Sequence, residues 1–227
     1  VVTGAFGALG RAVVKLAESR GARVAQIDFA PAPAELAAAP LVFGGLDLGD
    51  SGAATGAMRL VRERAGRIDA LLNIAGGFVW RTLEDGGADV WERMYRLNTV
   101  TTVNASKAAL PYLIESQGAI VNVTSIAGSR VHPFAGSAYA TSKAALAALT
   151  REMAHDFGPL GVRVNAIAPG EVKTSILSPG TDKIVERLPM QRLGEPREVA
   201  DVIWFLCSDQ SSYISGAEIE VNGAQHV

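Results

Sequence analysis

Apolar residues recur along this chain in two ways, as short runs and as longer segments with a helical pattern. The short runs, such as "AIVNVTS" (119–125) and "VRVNAIAPG" (162–170), are rich in β-branched residues, and several of them are apolar on both faces. Parallel strands that are covered by helices on both sides have this composition. The pattern predicts seven strands, at residues 1–3, 23–28, 41–47, 68–76, 119–125, 162–170 and 218–221.

The segments between these strands predict helices at about residues 8–20, 51–65, 89–116, 137–157 and 196–208. A β-α-β alternation of this length implies a doubly wound parallel sheet with helices on both faces, which is a Rossmann-type α/β fold. The stretch "FAPAPAELAAAP" (29–40) indicates a short helix or a loop. Because no domain break or repeat interrupts the pattern, we expect one domain over residues 1–227. Ligands of such sheets bind beyond the carboxyl ends of the strands.

Composition narrows the classes of function. The 227 residues are 48% hydrophobic and 19% charged with a net charge of −2, and no basic run points to nucleic acid. A single cysteine excludes an internal disulfide framework, and three histidines without ligand spacing predict no metal site. No apolar stretch is long enough for a membrane span, and the first residues resemble a strand more than a signal peptide. We expect a cytoplasmic protein whose natural chain begins a few residues earlier.

The first predicted strand runs into "TGAFGALG", which has glycines at positions 4, 7 and 10. This spacing differs from the G-x-G-x-x-G fingerprint of dinucleotide-binding loops. We expect Gly4 to permit a sharp turn, Gly7 to let the backbone approach a pyrophosphate, and Gly10 to let the helix pack closely on the sheet. The start of that helix offers N–H groups to phosphates. A turn without a ligand is the alternative.

The second predicted strand ends in Asp28, 18 residues after Gly10. A carboxylate at this position accepts hydrogen bonds from adenosine ribose hydroxyls and repels a 2′-phosphate. Since no Lys or Arg follows in "DFAPAPAE", Asp28 favours NAD over NADP, with a strand-end turn as its alternative role. Asp47, at the end of the third strand, is a candidate for contact with the adenine edge. Capping of the next helix by Asp47 or Ser51 is the competing interpretation.

The sequence "YATSK" (139–143) places Tyr139 and Lys143 on one face of a predicted helix. A free phenol has a pKa near about 10 and is a poor acid or base at neutral pH. An ammonium about 4 Å away would favour the phenolate by up to about 3 pKa units, and burial would oppose it. Ser125, at the end of the fifth strand, is expected to converge on this pair. An amphipathic surface pair is the alternative.

Several short motifs occur in a fixed order along the whole chain. They are "TGAFGALG" (3–10), "NIAG" (73–76), "LNTV" (97–100), "TSIAG" (124–128), "YATSK" (139–143), "PGEVKT" (169–174) and the final "ISGAEIEVNGA". In this order they resemble the short-chain dehydrogenases/reductases, a family of Rossmann-type oxidoreductases. The resemblance therefore covers essentially all of the sequence and implies one dinucleotide-binding oxidoreductase domain.

The resemblance implies that four residues carry the catalysis. Tyr139 would be the general acid in reduction and the base in oxidation, and Ser125 would hold the substrate oxygen. Lys143 would bind the nicotinamide ribose and lower the tyrosine pKa. Asn98 would hold a water molecule in a proton relay.

The resemblance also implies a nicotinamide dinucleotide cofactor, which is NAD (NADH) if Asp28 has the role given above. Its binding residues would be Tyr139 and Lys143 together with Gly4, Phe6, Gly7, Ala8, Leu9, Asp28, Asp47, Leu48, Asn73, Ala75, Gly76, Pro169, Gly170, Val172 and Thr174. The segments 89–116 and 137–157 build a four-helix dimer interface in this family. A homotetramer is therefore expected.

Two features depart from the usual pattern of this family. The commonest loop is T-G-x-x-x-G-x-G, whereas this chain has Ala8 at the penultimate glycine position and Gly7 one place earlier. We predict that Gly7 makes the close approach to the pyrophosphate. Ser125 and Tyr139 are 14 residues apart where 13 is more usual, and the loop "SRVHPFAG" accommodates the extra residue.

Some residues near the expected cleft have two interpretations. His132 would line the substrate cleft or lie on a surface loop, and Glu171 would face the nicotinamide or the solvent. A set of apolar side chains would form a substrate wall or simply pack in the protein, and it consists of Phe78, Trp80, Phe134 and Ile176.

The sequence thus predicts an NAD-dependent oxidoreductase that moves hydride between the nicotinamide and a small secondary alcohol or ketone. An NADP-dependent 3-oxoacyl-thioester (acyl-carrier-protein) reductase is a close alternative, which Asp28 disfavours. A non-catalytic nucleotide-binding protein on the same fold and a structural assembly subunit are alternatives from other classes.

Overall fold

The computed structural model describes residues 1–174 and 181–225, and seven parallel strands form one sheet in this part of the chain. The strands are β1 (Val2–Thr3), β2 (Gln26–Ile27), β3 (Val42–Phe43), β4 (Ala70–Asn73), β5 (Ala119–Val123), β6 (Arg163–Pro169) and β7 (Glu218–Val221). Their order in the sheet is β3-β2-β1-β4-β5-β6-β7, so the winding reverses between β1 and β4. The Rossmann-type α/β fold is confirmed, and its reversal point is where ligands of such sheets bind.

The helices that connect the strands are α1 (Ala8–Ser19), α2 (Ser51–Ala65), α3 (Ala88–Tyr95), α4 (Thr101–Ser116), α5 (Ser137–Phe157), α6 (Thr181–Val185) and α7 (Pro196–Cys207). The bounds of α2 and α5 agree with the sequence prediction, and α1 and α7 each end one residue earlier than predicted. The short α6 was not predicted. Among the described helices, none is both long and apolar enough to cross a membrane.

Two apolar layers, one on each face of the sheet, form the core. On one face, α1 and α7 pack against strand residues that include Leu72 and Val121. On the other face, α2, α4 and α5 cover strand residues that include Leu71 and Ile120. Successive strand positions therefore point into opposite layers, which explains why several runs are apolar on both faces.

The predicted helix over residues 89–116 is not continuous. Residues Arg96–Val100 form a π-helical turn between α3 and α4. A π turn widens the helical hydrogen-bond ladder and occurs often at functional sites. Asn98 lies in the middle of this turn, so the irregularity falls on a predicted site residue.

The ends of the short strands also differ from the sequence prediction. β2 and β3 have two residues each, whereas the apolar pattern predicts 23–28 and 41–47. Residues 29–40 form turns and irregular backbone, which agrees with a loop.

The capping interpretation of Asp47 and Ser51 is wrong, because Asp50 is the N-cap of α2 and accepts a hydrogen bond from the Ala53 N–H at 2.7 Å.

Candidate active site

An open cleft lies beyond the carboxyl ends of the central strands. Its wall includes Gly76 after β4, Ser125 after β5 and Gly170 after β6, and it encloses about 1010 Å³ of empty space that is continuous with solvent. The cleft is adjacent to the reversal point of the sheet, as expected for a ligand site in this fold.

Two glycines shape the loop between β1 and α1 because neither has space for a side chain. Gly4 has a φ of +63°, and a Cβ at this position would lie 2.8 Å from the backbone of Ala75. A Cβ on Gly10 would lie 2.7 Å from the Cα atom of Ala5. Gly10 therefore packs against the loop itself, and the prediction that it packs on the sheet needs this correction.

Gly7 is in a different situation from the other two glycines of the loop. It is exposed, and a Cβ there would meet only the Gly4 carbonyl oxygen, at an ordinary distance of 3.4 Å. Gly7 is also the N-cap of α1, and no side chain caps this end of the helix. An uncapped helix start beside an open stretch of backbone is the kind of site that binds phosphate oxygens.

Asp28 joins the end of β2 to the glycine loop. Its Oδ2 atom accepts a hydrogen bond from the Phe6 N–H at 2.8 Å, and its Oδ1 atom accepts one from the Ala30 N–H at 2.9 Å. A carboxylate has about four lone-pair positions, so these two bonds leave capacity for ribose hydroxyls. Asp28 thus stabilises the loop in addition to the role that the sequence predicts for it.

Asp47 is bound to a side chain from the π-helical turn. Arg96 Nη2 lies 2.7 Å from Asp47 Oδ2, and the Gly49 N–H donates to Asp47 Oδ1 at 2.8 Å. The hydrogen bond from the Arg96 guanidinium lowers the pKa of the Asp47 carboxyl below its usual value. The neighbouring Leu48 is buried. The loop between β3 and α2 therefore carries an ion pair, which the sequence analysis did not predict.

The side chain of Asn73 faces the protein interior. Its Nδ2 atom donates to Asn122 Oδ1 at 2.9 Å and to Ser106 Oγ at 3.1 Å, and Asn122 Nδ2 donates to Thr150 Oγ1 at 2.9 Å. All four residues are buried. This chain of hydrogen bonds connects β4 and β5 to α4 and α5, so the Asn73 side chain stabilises the sheet and its helices.

Asn98 is fully buried, and three hydrogen bonds hold its amide. Its Oδ1 atom accepts from the Gly77 N–H at 2.9 Å, and its Nδ2 atom donates to the Gly77 carbonyl at 3.0 Å and to Ser142 Oγ at 3.0 Å. A Cβ on Gly76 would lie 2.6 Å from Asn98 Oδ1. The π turn thus places Asn98 against the loop after β4 and the helix that carries Tyr139.

Ser125, just after β5, and Tyr139, in the first turn of α5, lie together in the cleft wall. Burial raises the pKa of Tyr139, the nearby Ser125 hydroxyl acts against that change, and the charge of Glu171 adds to it. Phe78 packs edge-on against the Tyr139 ring, with the ring centroids 5.0 Å apart. At neutral pH the phenol is therefore protonated and able to donate.

Lys143 is buried below Tyr139. Its Nζ atom donates to the Val123 carbonyl at 2.8 Å and lies 5.9 Å from the centroid of the Tyr139 ring. Burial lowers the pKa of Lys143 to about 8. The prediction that Lys143 lowers the tyrosine pKa is wrong for this arrangement, because burial of the phenol dominates and the ammonium is directed at a backbone carbonyl.

A second polar pair faces the cleft. His132 Nε2 lies 2.7 Å from Glu171 Oε1, and the two side chains are only 9% and 16% exposed. The Phe134 N–H donates to His132 Nδ1 at 3.3 Å, so the imidazole proton is on Nε2 and points at the carboxylate. Of the open interpretations, the structure selects the cleft for both His132 and Glu171.

The comparisons with known proteins agree with this geometry. A short-chain dehydrogenase/reductase from Brucella ovis, solved with a partially ordered NAD, superimposes with a TM-score of 0.81 at 40% identity and covers 97% of each chain. Residues 4–226 match a family model described as enoyl-(acyl carrier protein) reductase. The chain belongs to the short-chain dehydrogenase/reductase family of oxidoreductases.

Two further relatives of this short-chain dehydrogenase/reductase align along nearly its whole length. Protein FixR of Bradyrhizobium diazoefficiens is 46% identical over 100% of this chain and 86% of its own length. The meso-2,3-butanediol dehydrogenase of Serratia marcescens is 38% identical over 98% of this chain and 92% of its own length.

The structure brings the four predicted catalytic residues of this short-chain dehydrogenase/reductase together in the cleft wall. Of the predicted cofactor residues, the cleft wall contains Leu9, Gly76, Tyr139, Lys143, Pro169, Gly170, Val172 and Thr174. The other predicted residues of the glycine loop lie outside this wall, as do Asp28, Asp47 and Leu48.

Two of the four apolar side chains considered for a substrate wall lie at the cleft. Phe78 and Phe134 line the cleft, whereas Trp80 is 50% exposed and does not belong to its wall. Ile176 lies outside the described residues.

Sequence reasoning missed the partners that orient the polar side chains of the cleft. These partners are Gly77 and Ser142 for Asn98, the Val123 carbonyl for Lys143, and His132 for Glu171. The paired glycines in "AGGF" (75–78) were the available signal for a close approach by Asn98. The contact of Lys143 with the Val123 carbonyl could not be predicted from the sequence, because every residue has a backbone carbonyl.

Proposed function

We propose that this chain is a single-domain, NAD-preferring oxidoreductase that interconverts small secondary alcohols and ketones. The observation that carries the proposal is the convergence of Ser125 and Tyr139 in the cleft wall at the strand ends, with the buried Lys143 Nζ atom 5.9 Å from the Tyr139 ring centroid. An exposed or interior location of any of these side chains would leave the cleft without an acid or base. The NAD in the Brucella ovis relative supports the choice of cofactor class.

The residues of the glycine loop fit a nicotinamide dinucleotide. The open backbone at Gly7 and the uncapped start of α1 would receive the pyrophosphate, and Asp28 would receive the adenosine ribose. No Lys or Arg lies between Asp28 and residue 40 to accept a 2′-phosphate. When it is bound, the nicotinamide supplies the hydride in reduction and accepts it in oxidation.

The side chains of the cleft perform the proton part of the reaction. In reduction, Ser125 donates a hydrogen bond to the carbonyl oxygen, and Tyr139 transfers its phenolic proton to that oxygen as the carbon receives the hydride. The C=O bond becomes a C–O–H group, and a phenolate remains on Tyr139. Oxidation is the reverse. Because burial raises the pKa of Tyr139, the protonated form prevails at neutral pH and the geometry favours its action as an acid.

Lys143 and Asn98 support the acid. The Lys143 ammonium, which lies 5.9 Å from the centroid of the Tyr139 ring, would bind the ribose of the cofactor. The amide of Asn98, which is held rigidly by Gly77 and Ser142, would fix the loop after β4 and the water relay beside Lys143. These assignments follow the family resemblance and agree with the burial of both side chains.

A reductase of 3-oxoacyl thioesters is the second candidate. Relatives described as 3-oxoacyl-(acyl-carrier-protein) reductases favour it, and the absence of a cation after Asp28 opposes its usual NADP cofactor. A non-catalytic nucleotide-binding protein is opposed by the presence of Asn98, Ser125, Tyr139 and Lys143 together in the cleft wall. The homotetramer stays a prediction, which light scattering of the purified protein tests through its molar mass. The cytoplasmic location also stays a prediction.

One experiment separates these functions. NADH is titrated into the protein with its fluorescence as readout, and secondary alcohols, ketones and a 3-oxoacyl thioester are then assayed with NAD(H) and NADP(H) at equal concentration. The proposal expects NADH binding and faster turnover of an alcohol or ketone with NAD(H). Preference for the thioester with NADPH would establish the second candidate. Binding without turnover of any substrate would establish a non-catalytic protein.

A further inference from the structure

The largely buried side chains of His132 and Glu171 transfer no proton in the reaction described above. They join two neighbouring loops of the cleft wall, since His132 belongs to the loop after β5 and Glu171 follows the end of β6. Two neighbouring loops could be joined at lower cost by apolar contacts, because a carboxylate that is nearly withdrawn from water loses hydration that one hydrogen bond only partly replaces. A costly polar pair in a ligand cleft points to a ligand.

The surroundings of the pair define what it can bind. The cleft wall next to it is apolar, with Phe78, Phe134 and Ala135, and the other charged side chain in the described cleft wall is Lys143. The orientation of the imidazole is fixed by the Phe134 N–H, so the His132 proton is already used by Glu171. The pair therefore presents an acceptor to the cleft and carries negative charge.

We propose that Glu171, oriented by His132, selects substrates with a hydroxyl group on the carbon next to the reacting carbon, such as vicinal diols and α-hydroxy ketones, and excludes substrates with a carboxylate there. This inference rests on the oxidoreductase activity proposed above. The neighbouring hydroxyl donates to Glu171 while the reacting oxygen is held by Ser125 and Tyr139. A substrate carboxylate would meet a like charge in a poorly hydrated site.

A neutral hydroxyl fits this site better than an ammonium group. Lys143 already places a cation in the same cleft wall, and the His132 N–H offsets part of the Glu171 charge. A second cation would be repelled by Lys143 and would lose its hydration among Phe78 and Phe134. Glu171 is thus assigned as a specificity residue, and His132 as the residue that positions it.

The test compares three substrates with four carbon atoms each: 2,3-butanediol, 2-butanol and 3-hydroxybutyrate. We expect the wild-type protein to prefer the diol over 2-butanol by about tenfold or more in kcat/KM, since a hydrogen bond to a charged group contributes on that scale. Glu171→Met removes the acceptor, so the preference should fall to about twofold with 2-butanol still oxidised. Glu171→Gln keeps an acceptor oxygen without charge, so oxidation of 3-hydroxybutyrate should rise about tenfold.

The control removes a charge far from the cleft. Glu18→Gln lies on the exposed face of α1 and should change none of the three substrates. The double variant His132→Phe/Glu171→Met should show the same lost preference as Glu171→Met, which covers a single variant that folds poorly. Substrate binding can also be measured without turnover, by calorimetry on the Tyr139→Phe protein with NAD. This protein should bind the diol more tightly than 2-butanol, and the double variant Tyr139→Phe/Glu171→Met should not.

The outcomes are distinct. Unchanged diol preference in Glu171→Met, or continued exclusion of 3-hydroxybutyrate by Glu171→Gln, would overturn the inference while 2-butanol turnover upholds the oxidoreductase. A wild-type protein that prefers 2-butanol would do the same. If the wild-type protein neither binds NADH nor oxidises any of the three substrates, the oxidoreductase proposal itself fails and this inference fails with it.

Discussion

The proposed nucleotide end of this molecule, around β1 and β2, and its proposed catalytic end, beyond β5 and β6, are built in opposite ways. Around β1 and β2 the candidate site is backbone, shaped by Gly4 and Gly10, which have no room for a side chain, and held by the carboxylate of Asp28. Beyond β5 and β6 it is made of buried side chains, and the pKa values of Tyr139 and Lys143 are both displaced by burial. Backbone conformation therefore determines the nucleotide end, whereas buried ionisable side chains determine the catalytic end.

This difference has an energetic consequence. A glycine in a turn costs about 0.5–1 kcal/mol of conformational entropy and leaves no charge to solvate. A buried ammonium costs more, and it is tolerated where the reaction needs it. Changes at the nucleotide end should therefore act through stability and cofactor affinity. Changes at the catalytic end should remove turnover, and some of them should stabilise the fold.

The largest effect is expected for Tyr139→Phe. The variant removes the proton donor and keeps the ring that packs against Phe78. Loss of a general acid lowers the rate by about 10²–10⁴-fold, so kcat should fall by about a thousandfold while NADH affinity changes by less than about threefold. Stopped-flow and fluorescence titration measure the two quantities. Tyr213→Phe, at a fully exposed tyrosine, is the matched control and should retain full activity.

Near-normal kcat in Tyr139→Phe would contradict the assignment of the acid. A parallel loss of NADH affinity would contradict the separation of the two ends instead, because it would mean that the phenol contributes as much to cofactor binding as to the chemistry.

The second prediction compares two glycines of one loop. Gly10→Ala places a Cβ against the backbone of Ala5 and should lower the free energy of unfolding by about 3 kcal/mol. Gly7→Ala meets no protein atom closer than 3.4 Å, so it should change that free energy by less than about 1 kcal/mol and weaken NADH binding instead. Urea titration and NADH fluorescence separate the two effects. Equal stability of both variants would contradict the close contact at Gly10, and unchanged NADH affinity in Gly7→Ala would contradict the role of Gly7.

Much of this fold could be predicted because its signals are local. The β-branched runs and the helical pattern located all seven strands, and the bounds of α2 and α5 agree with the structure. The lengths of β2 and β3 were overestimated, since a strand ends where its neighbour stops pairing with it. The apolar pattern of one strand contains no information about the length of its neighbour. Tyr139 and Lys143 could be found because the spacing of "YATSK" follows the helical period, and Ser125 could be found because it ends an apolar strand pattern.

The parts of the site that were missed depend on contacts between distant segments. The π turn at Asn98 is stabilised by Gly77 and Ser142, and neither residue type signals a wider helical turn. The direction of the Tyr139 pKa change was predicted wrongly because burial, which dominates it, is a property of the packed cleft. The pairing of His132 with Glu171 likewise exists only once β5 and β6 are neighbours.

The third prediction tests the cofactor preference at the nucleotide end. Asp28→Asn keeps an oxygen for the Phe6 N–H but removes the charge that opposes a 2′-phosphate. We expect NADH affinity to fall by about tenfold, on the scale of one hydrogen bond to a charged group, and NADPH affinity to rise. Titrations with both cofactors measure the ratio, and Asp85→Asn, on an exposed loop, is the control. A ratio that does not move would show that Asp28 only stabilises the loop.

The smallest effect is a gain in stability at the catalytic end. The pKa of Lys143 is about 8 in the folded protein and 10.5 in the unfolded chain, so between these pH values the unfolded chain binds more protons. Lys143 therefore lowers the free energy of unfolding by its full amount below pH 8. This destabilisation decreases as the pH rises from 8 to 10.5. Lys143→Met should abolish turnover yet raise the Tm at pH 7 by about 2–4 °C, the equivalent of about 1 kcal/mol after the unpaired Val123 carbonyl is counted.

The same Lys143→Met protein should lose this advantage near pH 10, because the wild-type lysine is then largely neutral and no longer costs hydration. Scanning calorimetry at the two pH values measures the difference, with the exposed Lys15→Met as the control that should show none. A Tm that falls at pH 7 would mean that the hydrogen bond to Val123 contributes more to stability than burial of the ammonium costs. The catalytic end would then be stabilised by its own polar groups, as the nucleotide end is by Asp28.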